Sequence, residues 1–316
     1  MKTWIIVAVC LVLAGAALFA VAMSANDWDF TKLSTTKYIE NVHEISEPFE
    51  NIYIDTDTAD VTFYFSEGDV CRVVCEEEEK LAHSVTLSDG TLNVKLVDNK
   101  AWYEHIGISF GEMKISVYLP KSEYAQLDIN SDTGDVLIPS ELSFKNVNVS
   151  LSTGRVKSLA AVFGNFNVKT STGDVTLEKA SVGEVDIKVS TGRVSVSDVV
   201  TAGDVKIEVS TGKTEISGLK CKNLISDGDT GRITLKDVVA EERFDIERST
   251  GDVIFEGCDA GEIYVDTDTG DVSGTLLSDK VFIVKTDTGK IDVPNSISGG
   301  RCEIETDTGD VKISIG

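Results

Sequence analysis

Asp-Thr-Gly, the triplet that carries the catalytic carboxylate of aspartic proteases, occurs five times in this sequence, at Asp132, Asp229, Asp268, Asp287 and Asp307. Those enzymes need two such triplets, whose carboxylates share one proton and so act as acid and base together. Five further sites carry Ser-Thr-Gly instead, beginning at Ser152, Ser171, Ser190, Ser210 and Ser249. The ten glycines, Gly134, Gly154, Gly173, Gly192, Gly212, Gly231, Gly251, Gly270, Gly289 and Gly309, follow one another at 20, 19, 19, 20, 19, 20, 19, 19 and 20 residues. A motif on a fixed period, in which serine and aspartate interchange, is architecture rather than an active site.

Other residues of reactive type are scattered. Gly107-Ile-Ser109-Phe-Gly111 matches a nucleophile elbow, but an elbow needs a strand before it and a helix after it, and here the strand-like "MKISVYL" follows. His43, His83 and His105 show no metal-ligand spacing and read as surface or satisfied core histidines. In the last three repeats the outward face gathers Asp266, Asp268, Asp271, Asp287, Glu305, Asp307 and Asp310 against Lys285 and Lys290. Stacked carboxylates repel one another, and calcium would relieve that through oxygen ligands; the plainer reading is a solvated acidic face. Trp102, Tyr103 and Phe110 form an aromatic cluster, expected to pack under a cap, with stacking on a sugar or lipid surface as the alternative.

Numbering each repeat from its glycine shows what positions these residues. Position −7 is always apolar, −5 is apolar except at Ser226, and +2 is apolar except at Thr214, while the intervening positions are mostly polar. Alternation on both sides of the glycine marks half-buried strands, so each repeat is strand, Thr-Gly turn, strand and return. The glycine supplies a positive φ or a close backbone approach. The threonine before it is expected to stack and to bond the turn backbone. Strands about 4.8 Å apart would make ten coils into a rod ~48 Å long. The predicted fold is all-β, a single-stranded β-solenoid of about ten 19–20-residue coils over residues 131–316. At position +1 the signs alternate through Asp135, Arg155, Asp174 and Arg193, so neighbouring coils can pair there and fix register.

Ahead of the coils lie three other regions. Trp4 to Met23 is a run of twenty uncharged residues, at ~1.5 Å per residue long enough for a bilayer. It reads as an uncleaved anchor (1–23), with "AVA" at Ala20–Ala22 leaving signal cleavage as the alternative. Lys2 inside, with Asp27 and Asp29 outside, puts the body beyond the membrane. Residues 24–50 read as a polar tether and 51–130 as a β capping region, in which "DTDTADV" looks like a worn repeat with Ala59 at the glycine position. A net charge of −24 disfavours nucleic acid as a partner. The six cysteines have no disulfide spacing, and Cys302, at an apolar −7 position, is expected to be buried and reduced.

The strand-rich segment ending in "VYLP", followed by "LDINSDTGDVLIP" and the Ser/Asp-Thr-Gly-Asp-Val repeats, resembles the bacterial putative-adhesin family of β-strand-repeat proteins over residues 50–316. That resemblance implies a domain of unknown function, some of whose members take part in cell-envelope stress responses, and it supplies no catalytic residues and no cofactor. Three functions follow as expectations. The first is a non-enzymatic, membrane-anchored scaffold or adhesion module at the bacterial envelope, with a protein or glycan partner. The second is an acidic capture or sensing surface for cationic peptides or calcium. The third is a polysaccharide-acting β-helix enzyme, for which no acid/base cluster stands out. The last strand, "VKISI", ends the sequence and is expected to leave an open edge for weak self-association.

Overall fold

The computed structural model describes residues 2–25, 27–29, 36–105, 111–120 and 123–316. Lys2–Ala25 is one α-helix, and its stretch Trp4–Ala25 is long and apolar enough to cross a membrane. Most of the described residues after it are in strands.

From Glu123 onward the strands stack in parallel, turn on turn, as the period requires. Before each turn Leu127 pairs with Val147, Val147 with Phe166, Phe166 with Val185 and Val185 with Val205. After it Val136 pairs with Val156 and Val156 with Val175. The columns −7, −5, +2 and +4 point inward and form one continuous apolar core, and the largely polar −3 column is buried beside it in most coils. A coil alone cannot bury these side chains; stacked coils share the burial.

The turn glycines are required by contact as well as by conformation. Gly173 has φ +145°, and a Cβ there would stand 1.8 Å from the carbonyl oxygen of Gly154 in the adjacent coil. The threonines before the glycines behave differently from expectation. They stand exposed, and the turn bonds use their backbone carbonyls, as from Gly154 N–H to Thr172 O at 2.9 Å. The hydroxyls that bond the turn come from the buried −3 column, as from Thr170 Oγ1 to Thr172 O at 3.3 Å.

Two regions differ from the sequence reading. Within the stretch expected to be a tether, Tyr38–Ile45 is a strand paired antiparallel with Cys71–Glu78. Ala59 does occupy a glycine position: Asn51–Ser66 is an extra coil, pairing Tyr53 with Asp128 and Val61 with Val136. Its other edge is covered by Thr91–Asp98 and Met113–Pro120, which lead into antiparallel strands that end the stack.

At the far end the coils leave sequence order. The Gly270 coil pairs with the Gly309 coil, Thr269 against Thr308, and the Gly289 coil lies outside it, Thr288 against Thr308. The final strand, Val311–Ile315, lies along Val272–Leu276, and its outer side is paired only at Val311 and Lys312, so the expected open edge persists over Ile313–Ile315. The outermost strand before the turn is Lys280–Thr288, where Phe282 and Val284 are only partly buried and Ile283 is exposed; Ile291, after the turn, is exposed as well. The +1 residues supply a physical reason. Asp271 accepts the backbone N–H of Asp310, and Asp310 accepts that of Lys290, both at 2.8 Å. In sequential order Lys290 would sit between the two aspartates with no acceptor to offer Asp310.

Candidate functional site

The +1 ladder runs along much of the rod. Asp60, Asp135, Asp174 and Asp252 each accept the +1 N–H of the next coil, at 2.8–3.3 Å. Arg155 adds a two-pronged bond to Asp135, as expected, whereas the Arg193 side chain turns to Glu215 and leaves only its backbone N–H on Asp174; Arg232 bonds Asp252 further along. Burial pushes the Asp135 carboxyl up, but the side chain and backbone N–H of Arg155 outweigh it and hold its pKa below the usual 3.8. These carboxylates are bound into the architecture.

The six aspartates singled out as cation ligands separate accordingly. Asp271 and Asp310 serve the ladder. Asp266 accepts the Tyr264 hydroxyl at 3.3 Å. Asp268, Asp307 and Asp287 stand exposed at successive levels in that order. None belongs to the one group of three metal-type ligands found among the described residues. Residues 107–110 of the elbow motif, Phe110 included, lie outside the described residues. Trp102 and Tyr103 do not pack under the cap: they sit on a short 3₁₀ turn, 77% and 60% exposed. The cap here is a layer of paired strands whose inward faces are already filled, and Glu104 fastens the turn outside it through Lys80 and the Ala101 N–H.

The site that the sequence reading missed is a groove on the outward face of the first five coil levels. Its −6 column runs Tyr53, Asp128, Asn148, Asn167 and Asp186, and its −4 column includes Asn130, Ser150, Lys169 and Lys188. The groove holds about 460 Å³ and, over four strand spacings, runs about 19 Å. Asn148 Nδ2 donates to Asp128 Oδ1, and Asn167 Nδ2 donates to Asn148 Oδ1, each at 2.8 Å. Gln126 adds a second donor to Asp128 at 2.9 Å. Each amide thus points the same way and keeps one acceptor toward the next rung. The next rung is Asp186, a carboxylate with no N–H to give, and its Oδ1 is shut from solvent without a hydrogen-bond donor. At the other end Lys95 lies 5.0 Å from the Tyr53 ring centroid. Burial and the neighbouring Asp55 and Asp128 raise the Tyr53 pKa, keeping its hydroxyl protonated. The available signal is a run of Asn and Asp at one outward position in consecutive coils, which alternation alone marks only as polar.

A parallel β-solenoid closed by antiparallel strands is a repeat-built all-β fold by class. The chain belongs to the Toastrack DUF4097 family, whose profile matches residues 49–208 and 200–316. Among solved structures it is similar to a putative lipid binding protein from Parabacteroides distasonis, at TM-score 0.52 and 15% identity, over 74% of this chain and 96% of that one. It is also similar to a putative adhesin from the same organism (TM-score 0.46, 11% identity, 89% of this chain and 98% of that one). A putative adhesin from Parabacteroides merdae gives 0.43 and 13%, again over 89% and 98%. The first of these shows a shared fold. No curated protein matches the chain.

Proposed function

We propose that this chain is a non-enzymatic adhesion module of the bacterial envelope, which holds a hydroxyl-rich polymer, a glycan strand, along the groove from Tyr53 to Asp186. The observation that carries this reading is the hydrogen-bonded row Asp128, Asn148 and Asn167 lining the groove at strand spacing. Sugar hydroxyls both donate and accept, so a row of amide and carboxylate groups at strand spacing suits them. The adhesin descriptions of two similar structures agree with this role. Capture of cationic peptides receives less support, because many of the acidic groups counted toward it are bonded to backbone N–H groups or to basic side chains.

In this reading the helix Trp4–Ala25 anchors the protein and the rod stands on the extracytoplasmic side. Self-association by strand addition, where it occurs, uses the Lys280–Thr288 edge. Beads coated with the full chain in detergent should adhere to surfaces carrying particular neutral or anionic polysaccharides. Absence of retention on every polysaccharide tested would contradict the proposal.

A further inference from the structure

The cap contains a second constellation, independent of the groove. Cys75 and Glu77 lie two apart on Cys71–Glu78 and face inward together, and His83 enters from Leu81–Ser88. All three are buried, at 0%, 0% and 4% exposure. One Cys75 Sγ, one Glu77 carboxylate oxygen and one His83 ring nitrogen lie within 4.8 Å of one another.

Each outer atom of this group is held by a neighbour. Asn41 Nδ2 donates to Glu77 Oε1 at 2.6 Å, and the His83 backbone N–H donates to Glu77 Oε2 at 2.6 Å. His83 Nε2 bonds Thr56 Oγ1 at 2.8 Å, which leaves Nδ1 facing Glu77 Oε2 at 2.6 Å. Metal-ligating histidines are oriented in this way, with the far ring nitrogen fixed by a hydrogen bond.

We propose that Cys75, Glu77 and His83 form a structural site for a zinc-like divalent transition ion, joining the cap to the first coil. One thiolate, one carboxylate and one imidazole neutralise a divalent ion within a dry interior, and this mixed S, N, O set suits zinc or cobalt. Calcium and magnesium take all-oxygen shells and are disfavoured. Binding displaces the thiol proton of Cys75, which leaves to solvent, and the proton between Nδ1 and Oε2, which moves to Nε2. The neutral imidazole then donates its Nε2–H to Thr56 Oγ1. The Nδ1–Oε2 contact must widen by about 0.7 Å, to the edge of a tetrahedron with ~2.0–2.1 Å bonds. Thr56 lies on the first coil and Asn41 on the strand nearest the membrane segment. The ion would therefore fasten four strands at one point.

Because the site is sealed, metal should be supplied during synthesis. The full chain, expressed with zinc or cobalt and purified in detergent, should contain about one ion per chain by mass spectrometry. The cobalt form should show a thiolate-to-cobalt charge-transfer band. Cys75→Ser and His83→Gln should each lower metal content at least tenfold, whereas Cys258→Ser, at a buried thiol outside this group, should leave it unchanged. Wild-type protein carrying no ion above background would overturn the proposal, even if the variants fail to fold. So would full metal content in Cys75→Ser and His83→Gln.

Discussion

Arg248 Nη2 donates to Ser226 Oγ at 2.7 Å inside the solenoid core, one coil from its own position. It also reaches Thr214 Oγ1 at 3.5 Å, two coils away. These acceptors are the two residues that break the apolar pattern, Ser226 at −5 and Thr214 at +2. Gly228 makes the room: a Cβ there would lie 1.8 Å from Arg248 Nη1. Four residues from three coils thus depart from the repeat together, and the departure is one buried guanidinium with its acceptors.

Burial lowers the Arg248 pKa to about 10, so the site disfavours the charge it holds. Replacing a buried polar group and its partners together is often neutral or stabilising, whereas removing one partner is costly. The variant Ser226→Ile/Gly228→Val/Arg248→Thr, which restores residue types found in other coils, should melt no lower than the wild type. Gly228→Ala alone should cost roughly 1–3 kcal/mol through overpacking. Thermal unfolding checks both.

The turn predicts an asymmetry between glycine and aspartate. Gly173→Ala should destabilise by several kcal/mol, since its Cβ meets a backbone oxygen and its φ is unfavourable for alanine; a single strained residue costs on the order of 1–3 kcal/mol before the clash is counted. Asp268→Ser should stay within about 0.5 kcal/mol, because the side chain is exposed and five coils already carry serine there. Equal losses in the two variants would show that the triplet is not an interchangeable turn.

The Asp135–Arg155 pair gives a pH dependence of known sign. A carboxyl whose folded pKa is depressed contributes stability above its unfolded pKa, and that contribution is lost as pH falls through the folded value. For Asp135 the loss begins near 3.8 and completes below it. In Arg155→Gln the carboxyl should titrate closer to 3.8, with the backbone N–H bond retained. A carboxylate-detected NMR titration of both proteins reads this directly.

Coil order can be tested by cross-linking. Cysteines placed at Thr269 and Thr308 occupy adjacent parallel strands, about 4.8 Å apart, within the range a disulfide spans. That pair should oxidise readily, and a pair at Thr269 and Thr288 should not, since the Gly309 coil lies between them.

Much of this fold was legible because the repeat states its own geometry. Alternation about Gly134 and its nine successors gave the strands, the turn and the inward columns. Coil order was not legible, since every coil carries the same frame; the +1 acceptors of Asp271 and Asp310 favour the arrangement observed. Ser226 and Thr214 looked like isolated exceptions because Arg248 lies 22 and 34 residues away from them. The groove was hidden for a related reason. Asn148 and Asn167 fall 19 residues apart at an outward position, where polarity is the default and a ladder looks like ordinary solvation. His83, Glu77 and Cys75 come from strands of the irregular cap, where no period relates one residue to another.

The groove is tested most directly by comparing wild type with Asn148→Leu/Asn167→Leu on a glycan array, using the full chain in detergent. Both side chains face outward, so the stack should survive, with its unfolding temperature as the control. The account predicts that wild type binds a subset of glycans, and that the double variant loses at least tenfold in affinity for all of them. Equal binding by the two folded proteins would place adhesion elsewhere on the molecule and contradict the account.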